Sequence, residues 1–117
     1  MKSKDTVVLR KLLKYCHRIE LSCQRFGNEY SMFLNDYSYQ NDCCMSILQI
    51  GELCKVLSTD FRELYSTVPW KNWCGIRDII AHKYEEMDFE IAWDTIHNDL
   101  PFLKESIEEI LKEIEDE

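Results

Sequence analysis

At 117 residues, 45% of them hydrophobic, the chain can bury one core but not two independent ones, so a single domain over residues 1–117 is expected. Three glycines, two prolines and no uncharged apolar stretch long enough for a bilayer point to a soluble helical protein rather than a membrane-spanning one. The net charge of −8 is uneven: residues 1–60 hold eight Lys/Arg against seven Asp/Glu, residues 61–117 six against fifteen, so any contact with nucleic acid must be local.

The opening Met1-Lys2-Ser3-Lys4-Asp5-Thr6 leads into no apolar run with a small-residue cleavage site, so no secretory signal is expected and the cytoplasm is the default compartment. Cys16, Cys23, Cys43, Cys44, Cys54 and Cys74 show neither CxxC nor Cys/His spacing, which favours reduced, mostly core-facing thiols over a zinc site. No metal or other cofactor is expected.

Leu9, Leu12, Cys16, Ile19, Cys23 and Phe26 recur at alternating spacings of three and four, one apolar stripe of a first long helix that Gly27 would stop. Lys11, Lys14, Arg18 and Arg25 form a second stripe, either a solvated face balancing the acidic half or a track for a phosphate backbone. Residues 28–41 read as a polar and aromatic connection, with Asn35, Asp36, Ser38, Asn41 and Asp42 supplying turn and cap chemistry. Cys43, Ile47, Ile50, Cys54 and Leu57 then mark a second core helix. Gly51 within it costs about 1 kcal/mol relative to Ala and so predicts a close approach of another helix. Glu52 beside it, if partly buried, needs a cation, and Arg77 is the expected one.

Ser58 to Val68 predicts a loop with a short helical turn, and Pro69 suits the first turn of a third helix whose apolar edge is Trp73, Ile76 and Ile80. Asp88 is the expected N-cap of a fourth, with Ile96, Leu100, Leu103, Ile107, Ile110 and Ile114 facing inward and Pro101 kinking or restarting it. The acidic run from Glu105 to Glu117 reads most simply as a solvated helix face, or as a surface for a basic partner. With no comparable strand alternation, the expected fold is all-α, an up-and-down four-helix bundle.

The chemistry concentrates in Arg77-Asp78-Ile79-Ile80-Ala81-His82-Lys83-Tyr84. A guanidinium holds a phosphodiester bidentately, an imidazole moves protons near neutral pH, and a phenol accepts a modifying group. Arg77 and His82 are five residues apart, about 140° around a straight helix, so convergence requires the helix to loosen near Ala81 and His82 or a second copy of the chain to complete the site. Acid-base cleavage of RNA needs one group to take the 2′-hydroxyl proton and another to protonate the 5′-oxygen, and a symmetric dimer supplies two histidines. His17 and His97 lie in no such pattern and read as structural or exposed.

Gln49-Ile50-Gly51-Glu52-Leu53-Cys54-Lys55, Val68-Pro69-Trp70-Lys71, Gly75-Ile76-Arg77-Asp78 with His82-Lys83-Tyr84, and Trp93-Asp94-Thr95-Ile96 with Asp99-Leu100-Pro101 form an ordered set that closely resembles the HepT-like family, toxins of the HEPN superfamily, over about residues 5–112. The resemblance implies a HEPN four-helix bundle that forms a homodimer with two Rx4HxY motifs in a shared cleft. It further implies a metal-independent endoribonuclease, the toxin of a type II toxin-antitoxin system, acting through a 2′,3′-cyclic phosphate. Arg77 would hold the phosphate, His82 would be the acid-base group, Asp78 and Glu52 would support them, and Lys83 and Lys71 are candidates for RNA contact. The Asp78 charge would be neutralised by Arg77 or Lys83. The family's partner is a minimal nucleotidyltransferase antitoxin that uses ATP to attach AMP to the motif tyrosine, here Tyr84, adding charge and bulk where RNA would bind. The alternative function is a non-catalytic helical dimer that scaffolds a nucleotidyltransferase or binds nucleotide or RNA.

Overall fold

The computed structural model describes residues 3–116, and no strand occurs among them. Helix α1 (Ser3–Phe26) ends where Gly27 takes φ +106°, a conformation side chains rarely adopt, and donates its N–H to Cys23 O at 3.0 Å. The short α2 (Tyr30–Leu34) and then α3 (Tyr37–Val56) follow. Asp36 caps α3 by accepting the Ser38 and Tyr39 amides, so the helix begins within the stretch expected to be a connection. Phe33 explains the extra helix: it is fully buried against Tyr39, Phe89 and Trp93, contacts from distant segments that five residues of sequence do not advertise.

Ser58 caps α4 (Thr59–Leu64) and is itself tied to the first turn of α1, its hydroxyl and amide both donating to the buried Asp5 carboxylate. Helix α5 (Trp70–Lys83) starts just after Pro69 and passes into a 3-10 turn, Tyr84–Glu86. Asp88 then caps α6 (Phe89–Asp94), which runs without a loop through a π turn, Thr95–Asp99, into α7 (Leu100–Asp116). Leu100 donates its amide to Thr95 O, five residues back, and this wider turn immediately precedes Pro101. The proline is thus met by a restart of the helix.

Cross-links fix the directions. Asp5 at the start of α1 meets Ser58 just past α3; Lys55 near the end of α3 meets Asp78, while Asn41 near its start meets Tyr84 after α5. Arg10 meets Glu115, and Glu20 meets Lys104. α1, α3, α5 and the α6–α7 run therefore alternate in direction, as an up-and-down bundle requires. The periodic stripes supply one continuous core, including Leu9, Leu12, Ile19, Ile47, Ile50, Trp73, Ile80, Leu103 and Ile107. Cys16, Cys43, Cys44 and Cys54 are buried, Cys23 and Cys74 half-buried, and all six thiols are free. No helix among the described residues is long and apolar enough to cross a membrane.

Gly51 is where α3 and α5 touch. A β-carbon there would lie 2.6 Å from Trp73 O and closer still to Arg77 Cβ, so only glycine lets the helices approach this far. Lys14 and Arg18 of the basic stripe lie over the Tyr15 ring, and Arg25 over Phe26, covering aromatic surface on their own helix. The acidic residues of α7 are mostly exposed.

Candidate functional site

Arg77 rises from α5 directly over Gly51, and its guanidinium folds onto the flank of α3. Glu52 Oε1 forms an ion pair with Nε, lying beside the N–H rather than in line with it, so Nε donates no hydrogen bond. Nη1 donates to Asp78 Oδ1 at 3.0 Å. The same oxygen accepts from Lys55 Nζ at 3.0 Å, so Lys55 and Arg77, not Lys83, neutralise Asp78. Lys83 lies five residues beyond Asp78 on α5, on a different side of the helix. Lys55 first and Arg77 second hold the Asp78 carboxyl below the ordinary carboxylate range. The Arg77 side chain is 23% exposed, enough for its outer edge to meet a ligand.

His82 occupies the last turn of α5 with Lys83, where positive charge is favoured by the helix dipole. It is exposed, and neither ring nitrogen has a hydrogen-bond partner among the described residues. Because α5 stays helical through Lys83, it does not loosen at Ala81 and His82, and the angle of about 140° between Arg77 and His82 is kept. The small Ala81 side chain lies in the arc between them. One chain therefore presents a cation and an imidazole on two flanks of one helix.

Tyr84 is half-buried, edge-on to Phe89 at 5.9 Å, and its hydroxyl donates to Asn41 Oδ1. Burial, with Cys44 and Tyr37 nearby, pushes the phenol above its ordinary range. Lys71 is exposed at the opposite end of α5, about 16 Å along the axis from His82. The structure thus gathers Arg77, Glu52 and Asp78, holds His82 and Tyr84 one to two turns away, and leaves Lys71 at the far end.

Sequence reasoning missed Lys55 and Asn41. The signal was present: Asn41, Leu48, Glu52 and Lys55, spaced seven, four and three, line one flank of α3, and three of them meet residues of α5 or the turn after it. His97 is structural, its ring nitrogens set against Trp93 O and Asn28 Oδ1. A cavity of about 520 Å³ lined by Glu20, Cys23, His97 and Lys104 lies between α1 and the α6–α7 run, away from Arg77 and His82. Among the described residues no group of His, Cys, Asp and Glu gathers as a metal site.

A family description, ribonuclease HepT-like, matches residues 12–110, spanning all four long helices and every residue of this cluster. The chain belongs to the HepT-like ribonuclease family. Among the proteins this chain is similar to, a candidate RNase of Methanocaldococcus jannaschii is 40% identical over 88 residues, covering 75% of this chain and 73% of that protein. A candidate RNase of Caldanaerobacter subterraneus subsp. tengcongensis is 36% identical over 86 residues, covering 74% and 77%. A candidate ribonuclease HepT of Thermococcus cleftensis is 32% identical over 80 residues, covering 68% and 73%. No solved structure matches the chain.

Proposed function

We propose that this HepT-like protein is the toxin of a type II toxin-antitoxin system, a metal-independent endoribonuclease that works as a homodimer. The observation that carries the reading is the unbroken course of α5 through Lys83, which keeps Arg77 and an unpartnered His82 on separate flanks of one helix. Two copies related by a two-fold axis bring two histidines and two arginines to one cleft. Gly75, Ile79 and His82, spaced four and three, form an exposed stripe beside the motif, and nothing within 4 Å would meet a β-carbon at Gly75. Such a stripe leaves room for close approach of a partner.

In the reaction, a neutral His82 takes the 2′-hydroxyl proton and the oxygen attacks phosphorus. The protonated His82 of the other copy gives its proton to the departing 5′-oxygen, leaving a 2′,3′-cyclic phosphate and a 5′-hydroxyl. Arg77 stabilises the extra charge on the pentacoordinate phosphorus. Control falls to a nucleotidyltransferase antitoxin. Tyr84 Oη attacks the α-phosphorus of ATP, pyrophosphate leaves, and the tyrosyl-AMP places a negative phosphodiester near Arg77 and His82.

The pairing of Arg77 with two carboxylates favours a second reading, a non-catalytic dimer that scaffolds the nucleotidyltransferase or binds nucleotide, since the guanidinium is already engaged. Cleavage of total and transfer RNA in EDTA by wild type, His82→Ala and Arg77→Ala, with solution mass alongside, separates the two. Cleavage by a wild-type dimer, lost in both folded variants, supports the nuclease. A folded, unmodified dimer that leaves RNA intact supports the scaffold.

A further inference from the structure

Between α4 and the start of α5 lies an open cavity of about 470 Å³, lined by Thr59, Arg62, Ser66, Pro69, Trp70 and Lys71. Its shape is fixed from behind: Trp70 Nε1 donates to Tyr65 O at 3.1 Å, and the Phe61 ring packs against both Tyr65 and Trp70. Two cations line it, and neither Arg62 nor Lys71 is in an ion pair among the described residues. Arg62 Nε is shut off from solvent with no acceptor. Arg62 as a whole is only half-buried and no carboxylate among the described residues pairs with it, so an anion in the cavity meets an unneutralised guanidinium. Glu63 also lines the cavity, so the local balance is two positive charges against one in a chain whose net charge is −8.

The cavity lies at the start of α5, one to two turns before the Arg77 cluster. Lys71, Gly75, Asp78 and His82, at spacings of four, three and four, run down one side of α5, with open space above Gly75. Cys74, one turn before Asp78, lies between the two ends: burial raises its thiol, Lys55 and Arg62 act to lower it, and Asp78 and Glu52 to raise it. Arg62 of the cavity and the acidic partners of Arg77 thus reach the same sulfur.

We propose that this cavity is a second phosphate subsite, in which Arg62 and Lys71 hold a phosphodiester of the RNA strand upstream or downstream of the one held by Arg77. The inference rests on the ribonuclease reading for its ligand. Lys71 and Arg77 are six residues apart, about 9 Å along α5 and about 120° around it, so a strand held at both winds obliquely across the helix. The subsite explains how a strongly acidic protein grips RNA: it neutralises phosphates at two separate points rather than across a broad field. Substrates too short to span both points forgo half of that grip.

The test is fluorescence anisotropy with 2′-O-methylated uridine strands of about two and about twelve nucleotides: the dinucleotide has a single phosphodiester and reaches one contact point, while the longer strand reaches both. Arg62→Gln/Lys71→Gln is compared with wild type and with Lys112→Gln, which alters charge on α7 instead. The double variant, folded by circular dichroism, loses about tenfold in affinity for the long strand and far less for the short one, and its slope of log affinity against log salt becomes shallower by about 0.7 per lost phosphate contact. Lys112→Gln binds like wild type. Equal binding of the long strand by wild type and the double variant overturns the subsite, as does an equal loss at both lengths. Because the methylated strands cannot be cleaved, this result is read independently of whether wild type cleaves ordinary RNA, which tests the nuclease reading alone.

Discussion

Gly51 and Arg77 are packed backbone against side-chain stem, with no space between them for a single carbon. The glycine on α3 therefore sets where the arginine on α5 stands, and through it where Glu52 and Asp78 meet the guanidinium.

Replacing Gly51 with Ala gains helix propensity of up to about 1 kcal/mol but forces α3 off α5 at a backbone oxygen, which overpacking values put at about 1–3 kcal/mol. The expected outcome is a net loss of stability and a displaced Arg77, read by denaturant unfolding and by weaker RNA binding. A rise in the unfolding midpoint would mean that the helices do not approach as closely as described.

Asp78 accepts from both Lys55 and Arg77, and its carboxyl lies below the usual 3.8. A depressed carboxyl contributes its pairing above the ordinary carboxyl range and loses it only as pH falls through the lower folded value, so at working pH the charge is always present. Asp78→Asn removes a negative charge from the path of the phosphate and releases Lys55. RNA affinity is expected to rise several-fold at low salt and to converge on wild type as salt screens the difference, measured by anisotropy across a salt series. Affinity that drops instead would make Asp78 a positioning residue for Arg77.

Tyr84 donates its hydroxyl to Asn41, so the phenol must leave that acceptor before it attacks a nucleotide. Tyr84→Phe is expected to remove the AMP adduct formed with the nucleotidyltransferase and ATP. Asn41→Ala is expected to cost about 1 kcal/mol for the lost hydrogen bond and to speed adduct formation. Intact-mass spectra over time decide both, and an adduct persisting in Tyr84→Phe places the modification elsewhere.

The six thiols should differ sharply in reactivity. Burial pushes Cys16 and Cys44 up to about 12 and raises Cys54 and Cys74, whereas hydrogen bonding from Cys43 lowers half-buried Cys23 to about 6 and raises Cys43 in turn. The thiolate is the reactive form, so the lowered thiol of Cys23 makes it the most reactive of the six. Peptide mapping after brief alkylation of the native protein is expected to find Cys23 modified first, with its rate falling below about pH 6. First labelling at Cys74 would contradict this.

The core of the bundle was legible because stripes at spacings of three and four are a property of one helix alone: Leu9 to Phe26, Cys43 to Cys54 and Ile96 to Ile114 could be read without knowing what they pack against. Glu52 with Arg77 was legible for a related reason, since a carboxylate beside the close-contact Gly51 needs a cation from the helix that approaches there. Phe33 and the early start of α3 were not, because five residues carry no period and their partners Phe89 and Trp93 are more than fifty residues away in sequence. Lys55 shares the Glu52 flank of α3 and so was within reach of the same reasoning, but its pairing with Asp78 depends on how α3 is rotated against α5. The distance between Lys71 and His82, by contrast, follows from helical rise alone.

The π turn at Thr95–Asp99 and Pro101 form a matched pair. A wide turn is geometrically one surplus residue absorbed locally, so the chain could shed a single codon there and keep the apolar side of α7 pointed inward. Elsewhere in the run from Phe89 to Asp116 the same deletion would rotate everything downstream by about 100°. Shedding it, however, would leave Pro101 inside an ordinary α-helix, at a cost of about 3 kcal/mol. Length and composition are therefore locked together at this point of the last helix, and a shortened version of it is expected to fold well only when the proline is replaced as well.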